Sequence, residues 1–178
     1  EGSDTTSSAA AGSAAAAGSA AGAAVRVAAS ASATVALVAA GAEGRPGMCN
    51  EYQLILPFDD VIEAFNRNGD RLAFPGGMPN FGPMSSIRIG DRAPIIVQGA
   101  AGPEMVTLPW AWKGPTGAPV FNFRSDGRTF GGSTRCLAPA DGFFEFTPSE
   151  AGQKRKTKWR FTLAEEPIFW IAGIIKND

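Results

Sequence analysis

A break at Gly44-Arg45-Pro46-Gly47 divides the chain into two parts with different capacities to fold. Residues 1–47 hold 19 alanines among many Ser and Gly, five charges (Glu1, Asp4, Arg26, Glu43 and Arg45) and no aromatic ring. Such a segment buries too little apolar surface to offset its ordering entropy, so it is expected to be a disordered, low-complexity arm or upstream extension. A secretory leader is the competing reading, because Val25 to Ala42 is small and apolar and Ala40-Gly41-Ala42 resembles a cleavage site. Against it, the stretch is rich in Ala and Ser rather than Leu, and its basic flank is Arg26 alone. All Trp, Tyr and Phe residues and 28 of the 33 charged side chains follow the break. The folded domain is therefore expected over residues 48–178.

Composition also limits the chemistry. The sequence has no His and two Cys, which rules out a Ser-His-Asp or Cys-His triad within these 178 residues, and two thiols alone cannot complete a structural zinc site. A formal net charge of -1 argues against a protein that coats nucleic acid by bulk charge, so any DNA contact has to be local. No apolar run reaches the roughly 20 residues that span a bilayer. Neither a metal nor a cofactor is expected.

Tyr52 to Leu56 has the pattern of a short strand. A helix is expected near Asp59 to Asn68, with Asp60 and Glu63 at capping-box spacing, Val61, Ile62 and Phe65 as its apolar face and Asn68-Gly69 as its stop. Phe74 to Pro83, with three Pro and three Gly, should be a surface loop. Strands then dominate. Ala93 to Gln98 is β-branched, and Val106, Leu108, Trp110 and Trp112 would share one face of a period-two segment. Phe144 and Phe146 alternate with Phe143 and Glu145; Trp159, Phe161 and Leu163 alternate with Lys158, Arg160 and Thr162. Ile168 to Ile175 fits a strand buried on both faces. The fold class expected is α+β: a mainly antiparallel, partly closed β-sheet with a flanking helix.

Three places carry candidate chemistry. If Met48 is removed or the arm is cleaved, Cys49 acquires a free α-amine beside its thiol. Such a 1,2-aminothiol condenses with an aldehyde to an imine and closes to a thiazolidine, which an internal Cys cannot do because its nitrogen is an amide. In Phe121-Asn122-Phe123-Arg124-Ser125-Asp126-Gly127-Arg128, an amide and a guanidinium two residues apart would lie on one strand face, suited to a reacting group and a phosphate. In Arg135-Cys136-Leu137-Ala138-Pro139-Ala140-Asp141-Gly142-Phe143-Phe144-Glu145-Phe146, a carboxyl stands among three Phe, and apolar surroundings raise a carboxyl pKa toward neutrality. Taken one at a time, these are more simply a buried thiol, a solvated turn and an outward-pointing Glu. Cys136 has the surroundings of a core residue. The cations of Lys154 to Arg160 fit a solvated hairpin tip better than a DNA contact.

Taken in order, Met48-Cys49-Asn50, Asn80-Phe81-Gly82-Pro83, Trp110, Asn122-Phe123-Arg124 and Arg135 to Phe146 resemble the SOS response-associated peptidase family over residues 48 to about 175. The resemblance implies a cytoplasmic, nucleoid-associated monomer that binds single-stranded DNA. Its N-terminal Cys, exposed by autoproteolysis or Met removal, captures the aldehyde of an abasic site as a thiazolidine DNA-protein crosslink. By position Cys49 would be the nucleophile, Asn122 would hold the reacting sugar or N-terminal residue, and Glu145 would shuttle protons. Arg124, Arg128 and Asn50 would contact the DNA backbone, with Trp110 and Pro83 packing against bases. The chain departs from the family in three ways. It lacks the family's C-terminal His, which is read as truncation of the C-terminal part. It carries Asn50-Glu51 where many relatives have Gly-Arg, and Glu51 would repel a phosphate unless turned away. The arm precedes Cys49. Two other readings remain open: a noncovalent single-strand-binding module, and a peptidase acting on other proteins.

Overall fold

The computed structural model describes residues 34–39, 50–67, 69–124, 127, 129–147 and 156–176; side chains of 34–39 and Arg124 are outside the description. In chain order the first elements are β1 (Thr34–Ala39), β2 (Glu51–Leu54), α1 (Phe58–Asn66), β3 (Met84–Arg88), β4 (Arg92–Gln98) and β5 (Pro103–Pro109). Two short strands, β6 (Trp112–Lys113) and β7 (Pro119–Val120), precede β8 (Asn122–Arg124), β9 (Thr134–Ala140), β10 (Gly142–Thr147), β11 (Thr157–Phe161) and β12 (Phe169–Lys176).

These strands form a six-stranded sheet in the order β5-β4-β9-β12-β1-β8, a four-stranded sheet in the order β11-β10-β2-β3, and the pair β6-β7. Every pairing is antiparallel except β1 with β8. The mainly antiparallel architecture with one small helix agrees with the expected sheet-rich α+β class. The expected partial closure does not occur: the large sheet ends on β5 and β8 and the smaller on β11 and β3, so both are open. Among the described residues, no helix is long and apolar enough to cross a membrane.

The arm departs from expectation at Thr34–Ala39, which forms an inner strand between β12 and β8. Thr34, Val35 and Val38 are β-branched, and both backbone edges of the strand are paired, so ladder bonds supply order that a composition averaged over 47 residues conceals. The helix is shorter than the expected span and starts differently. Pro57 is its N-cap, no side chain caps it, and Asp59 and Asp60 lie in the first turn, so the Asp60/Glu63 spacing does not act as a capping box. Val61 and Phe65 are its buried residues, and Phe65 meets the Trp170 ring edge-on at 5.5 Å. Gly69, at φ 91°, donates its N–H to Asn66 O at 3.0 Å, a left-handed stop that only glycine adopts without cost.

The core centres on Trp110, which is 0% exposed. Tyr52 meets its ring at 5.2 Å and Phe121 at 6.3 Å, both edge-on, and its Nε1–H donates to Phe121 O at 3.0 Å. The period-two reading of 106–112 fails here. Met105, Leu108 and Trp110 are the buried positions, Val106 and Trp112 are half-buried, and Ala111, at φ 87°, interrupts the extended chain between Trp110 and Trp112. In β12 burial on both faces is confined to residues 173–175, the strand's other positions being half-buried or exposed.

Asp141, at the corner joining the two sheets, holds the exit of β2. One carboxylate oxygen accepts from Gln53 Nε2 at 2.7 Å; the other accepts from the backbone N–H groups of Ile55 at 2.5 Å and Leu56 at 2.8 Å. Asp141→Ala strands three donors, two of them main-chain, in a partly buried turn. An unsatisfied buried donor costs roughly 1–3 kcal/mol, so the expected loss is about 3 kcal/mol, read as a lower urea midpoint at unchanged m. A loss below about 1 kcal/mol contradicts this role.

Candidate functional site

The start of β2 carries the most unusual electrostatics among the described residues. Glu51 is 4% exposed although its side chain is charged. Its Oε1 accepts from Ser86 Oγ at 2.6 Å and Lys158 Nζ at 2.6 Å, with Arg88 Nε at 3.7 Å. The Lys158 ammonium also sits 3.8 Å from the centre of the Phe144 ring. Burial pushes the Glu51 carboxyl pKa upward, but hydrogen bonds from Lys158 and Ser86 and the charges of Lys158 and Arg88 outweigh it and hold it below the usual carboxylate range. The expected clash of Glu51 with a phosphate is therefore removed: the carboxylate is turned inward and neutralised.

Register explains how these residues meet. Alternation along β2, β10 and β11 puts Glu51, Phe144, Phe146, Lys158 and Arg160 on one face, and Tyr52, Phe143, Glu145, Trp159 and Phe161 on the other. The β2–β10 ladder pairs Gly142 with Gln53, Phe143 with Tyr52 and Phe144 with Glu51. The ladder ends at that last pair; Asn50 precedes β2 and Glu145 follows Phe144 on β10. Glu145 is half-buried, and desolvation raises its pKa, as the cluster of Phe side chains implied.

The other expected site residues are scattered. Cys49 and Arg128 lie outside the described residues; Cys49 is peptide-bonded to Asn50, which is exposed. Asn122 is half-buried on β8, in the other sheet from Glu145, and Arg124 ends that strand. Pro83 is exposed just before β3. Trp110 is a correction: with 0% exposure and Tyr52 and Phe121 packed against its ring, it is not accessible to a base. Cys136 is buried as expected, and desolvation pushes its thiol up to about 12.

Three adjoining hollows lie beside Asn50 and Trp110, while Glu145, Asn122 and Pro83 line none of them. The first, of about 400 Å³, is lined by Asn50, Glu51, Arg88, Ile89, Phe146 and Lys158. It shares Ile89 with a second of about 540 Å³, which Trp110 backs and Trp112 and Lys113 line. That hollow shares Trp112 and Lys176 with a third of about 690 Å³, where Phe123 and Phe130 stand beside Thr129, Ser133 and Thr134. Four cations line the series, and Glu51 is its single carboxylate among the described residues. Aromatic faces with cations between them can hold bases and phosphates together.

Sequence reasoning missed the Glu51–Lys158 pair. Its members are 107 positions apart, and only the β2–β10–β11 register brings them together. The alternation of Lys158 and Arg160 with Trp159 and Phe161 was the available signal, and the solvated-tip reading discarded it. Comparison with known protein families, curated proteins and solved structures finds no match to this chain.

Lys158→Ala leaves Glu51 buried without the ammonium 2.6 Å from its carboxylate, Arg88 standing farther off at 3.7 Å and exposed. Removing one partner of a buried pair costs roughly 3–5 kcal/mol; because Lys158 is partly solvated, the expected loss at pH 7 is about 2 kcal/mol. In the wild type the folded-state pKa of Glu51 is lowered, so its contribution is present above the unfolded carboxyl pKa and lost as pH falls through the folded value. The gap between variant and wild type should therefore shrink below about pH 4 in urea titrations. A gap independent of pH contradicts the assignment.

Proposed function

We propose that this chain binds single-stranded DNA and captures abasic sites covalently through Cys49, once autoproteolysis or Met48 removal has freed its α-amine. The observation carrying this reading is the end of the β2–β10 ladder, where Glu145 follows Phe144, the register partner of Glu51, two residues from Cys49 in the chain. The resemblance of Met48-Cys49-Asn50, Asn122-Phe123-Arg124 and Arg135 to Phe146 to the SOS response-associated peptidase family supports the same chemistry. The cationic, aromatic-lined hollows that begin at Asn50 suit a strand of nucleic acid.

The Cys49 amine adds to the aldehyde carbon of a ring-opened abasic sugar. The carbinolamine loses its hydroxyl as water, forming an imine. The thiol sulfur then bonds to the imine carbon, its proton passes to nitrogen, and a thiazolidine closes; one water leaves overall. Glu145 donates the proton that the departing hydroxyl needs, and its raised pKa keeps a larger protonated fraction near neutrality than an exposed carboxyl would have. Asn122 orients the reacting sugar, Arg124 and Arg128 hold flanking phosphates, and Asn50 and Pro83 line the approach. The peptidase activity is self-directed, exposing Cys49 in a cytoplasmic, nucleoid-associated monomer.

The aromatic and cationic lining also favours a second reading, noncovalent single-strand binding, and one experiment separates the two. A chain beginning at Cys49 should trap a uracil-excised single-stranded oligonucleotide as a denaturant-resistant band, which Cys49→Ser abolishes. Glu145→Gln should slow band formation about a hundredfold, the usual scale of general acid–base catalysis. Equal retention of intact and abasic strands, with no band surviving denaturant, sinks the covalent reading.

A further inference from the structure

The β10–β11 ribbon carries a second feature that the capture chemistry does not use. Trp159 and Phe161 share one face of β11 and are 53% and 45% exposed, and Leu163, just past the strand, is 53% exposed. Two large aromatic rings side by side on one strand face, both about half exposed, make a contiguous apolar patch of the kind that marks a binding surface. The rings are held in place. Phe161 lies nearly parallel to Phe143 across the ladder, centroids 5.2 Å apart at 14°, and Trp159 Nε1–H donates to Thr147 Oγ1 at 3.3 Å. Trp159 stands directly opposite Glu145 in the register. Along the same stretch Lys156, Lys158 and Arg160 alternate with the rings, and residues 156–161 contain no acid.

We propose that Trp159 and Phe161 form a stacking platform for the bases of single-stranded DNA, placing a nucleotide that flanks the lesion next to Glu145. The proposal rests on the single-strand reading above but needs none of its covalent chemistry. Fixed aromatic faces on a sheet accept bases of any sequence, and cations at the sheet edge meet the phosphates joining them. Arg160 is exposed on the edge strand β11, on the face opposite the rings, and Lys156 is exposed just before the strand, while Lys158 is committed to Glu51. A second copy of the chain fits poorly, because edge-to-edge pairing of β11 would set this row of cations against itself.

The test uses two ligands that cannot form an aldehyde adduct: a short oligothymidylate, and a strand of equal length built from tetrahydrofuran spacers, which keeps the phosphates and lacks the bases. Binding is read by fluorescence anisotropy on the wild type and on W159A, F161A and W159F. The wild type should prefer the thymidylate. W159A and F161A should each weaken thymidylate binding about tenfold while leaving the spacer strand unaffected, and W159F should restore most of the preference. Equal affinities of W159A and wild type for thymidylate, parallel losses on both strands, or a concentration-dependent dimer that W159A abolishes would overturn the platform. The abasic-oligonucleotide band is scored separately. A wild type that shows the base preference without ever crosslinking defeats the capture reading and leaves the platform standing; crosslinking with unchanged W159A binding does the reverse.

Discussion

Glu51 is a charge taken out of water, and the smaller sheet is arranged around that cost. A carboxylate at 4% exposure is stable only where partners replace its hydration, and here Ser86 comes from β3 and Lys158 from β11, with Arg88 adding a more distant charge. The Lys158 ammonium spans β10 to reach it, resting on the Phe144 ring on the way. One carboxylate thus ties the edge strands β3 and β11 to β2. Because β2 is held at its first residue, Asn50 lines the first hollow from a fixed point. The proposed chemistry depends on that anchoring more than on any property of Cys49 alone.

Glu51 and Glu145 illustrate how environment divides similar groups between roles. Both lose hydration, but Glu51 has hydrogen-bonded cationic help and is held ionised, whereas desolvation is the cause that moves Glu145, toward the protonated form. The first is suited to structure and the second to proton transfer. They sit one residue out of step on adjacent strands, so the sheet's alternation sends them to opposite faces. Cys136 is a third outcome: with its thiol pushed to about 12 in the core, it stays unionised and offers no competing nucleophile near neutral pH.

What could be read from the sequence was local and periodic. Phe143 to Phe146 and Trp159 to Phe161 show the two-residue alternation plainly because one position in two is aromatic. Asp59 to Phe65 shows its helical face through Val61 and Phe65. What could not be read depended on register or on a single backbone angle. Nothing near Glu51 announces Lys158, since strand pairing is set by long-range contacts that no local window contains. The resemblance alone sets Trp110 against bases, and no local pattern shows that its ring is fully buried between Tyr52 and Phe121. Thr34–Ala39 looked too poor to order, because its stabilisation comes from hydrogen bonds to β12 and β8 rather than from side-chain size. Glycine-rich and proline-rich stretches, by contrast, marked the loop at Phe74 to Pro83 through conformational preference alone.

The central claim is that carbon–nitrogen and carbon–sulfur bonds form between one sugar carbon and residue 49. Tandem mass spectrometry of the protein after reaction with an abasic strand, digested to peptides, locates the adduct directly. The account predicts a peptide whose first residue is Cys49, carrying the sugar remnant with the loss of one water and no free thiol. A sugar found on a lysine side chain, or a Cys49 recovered unmodified within a peptide that still includes Met48, would contradict it.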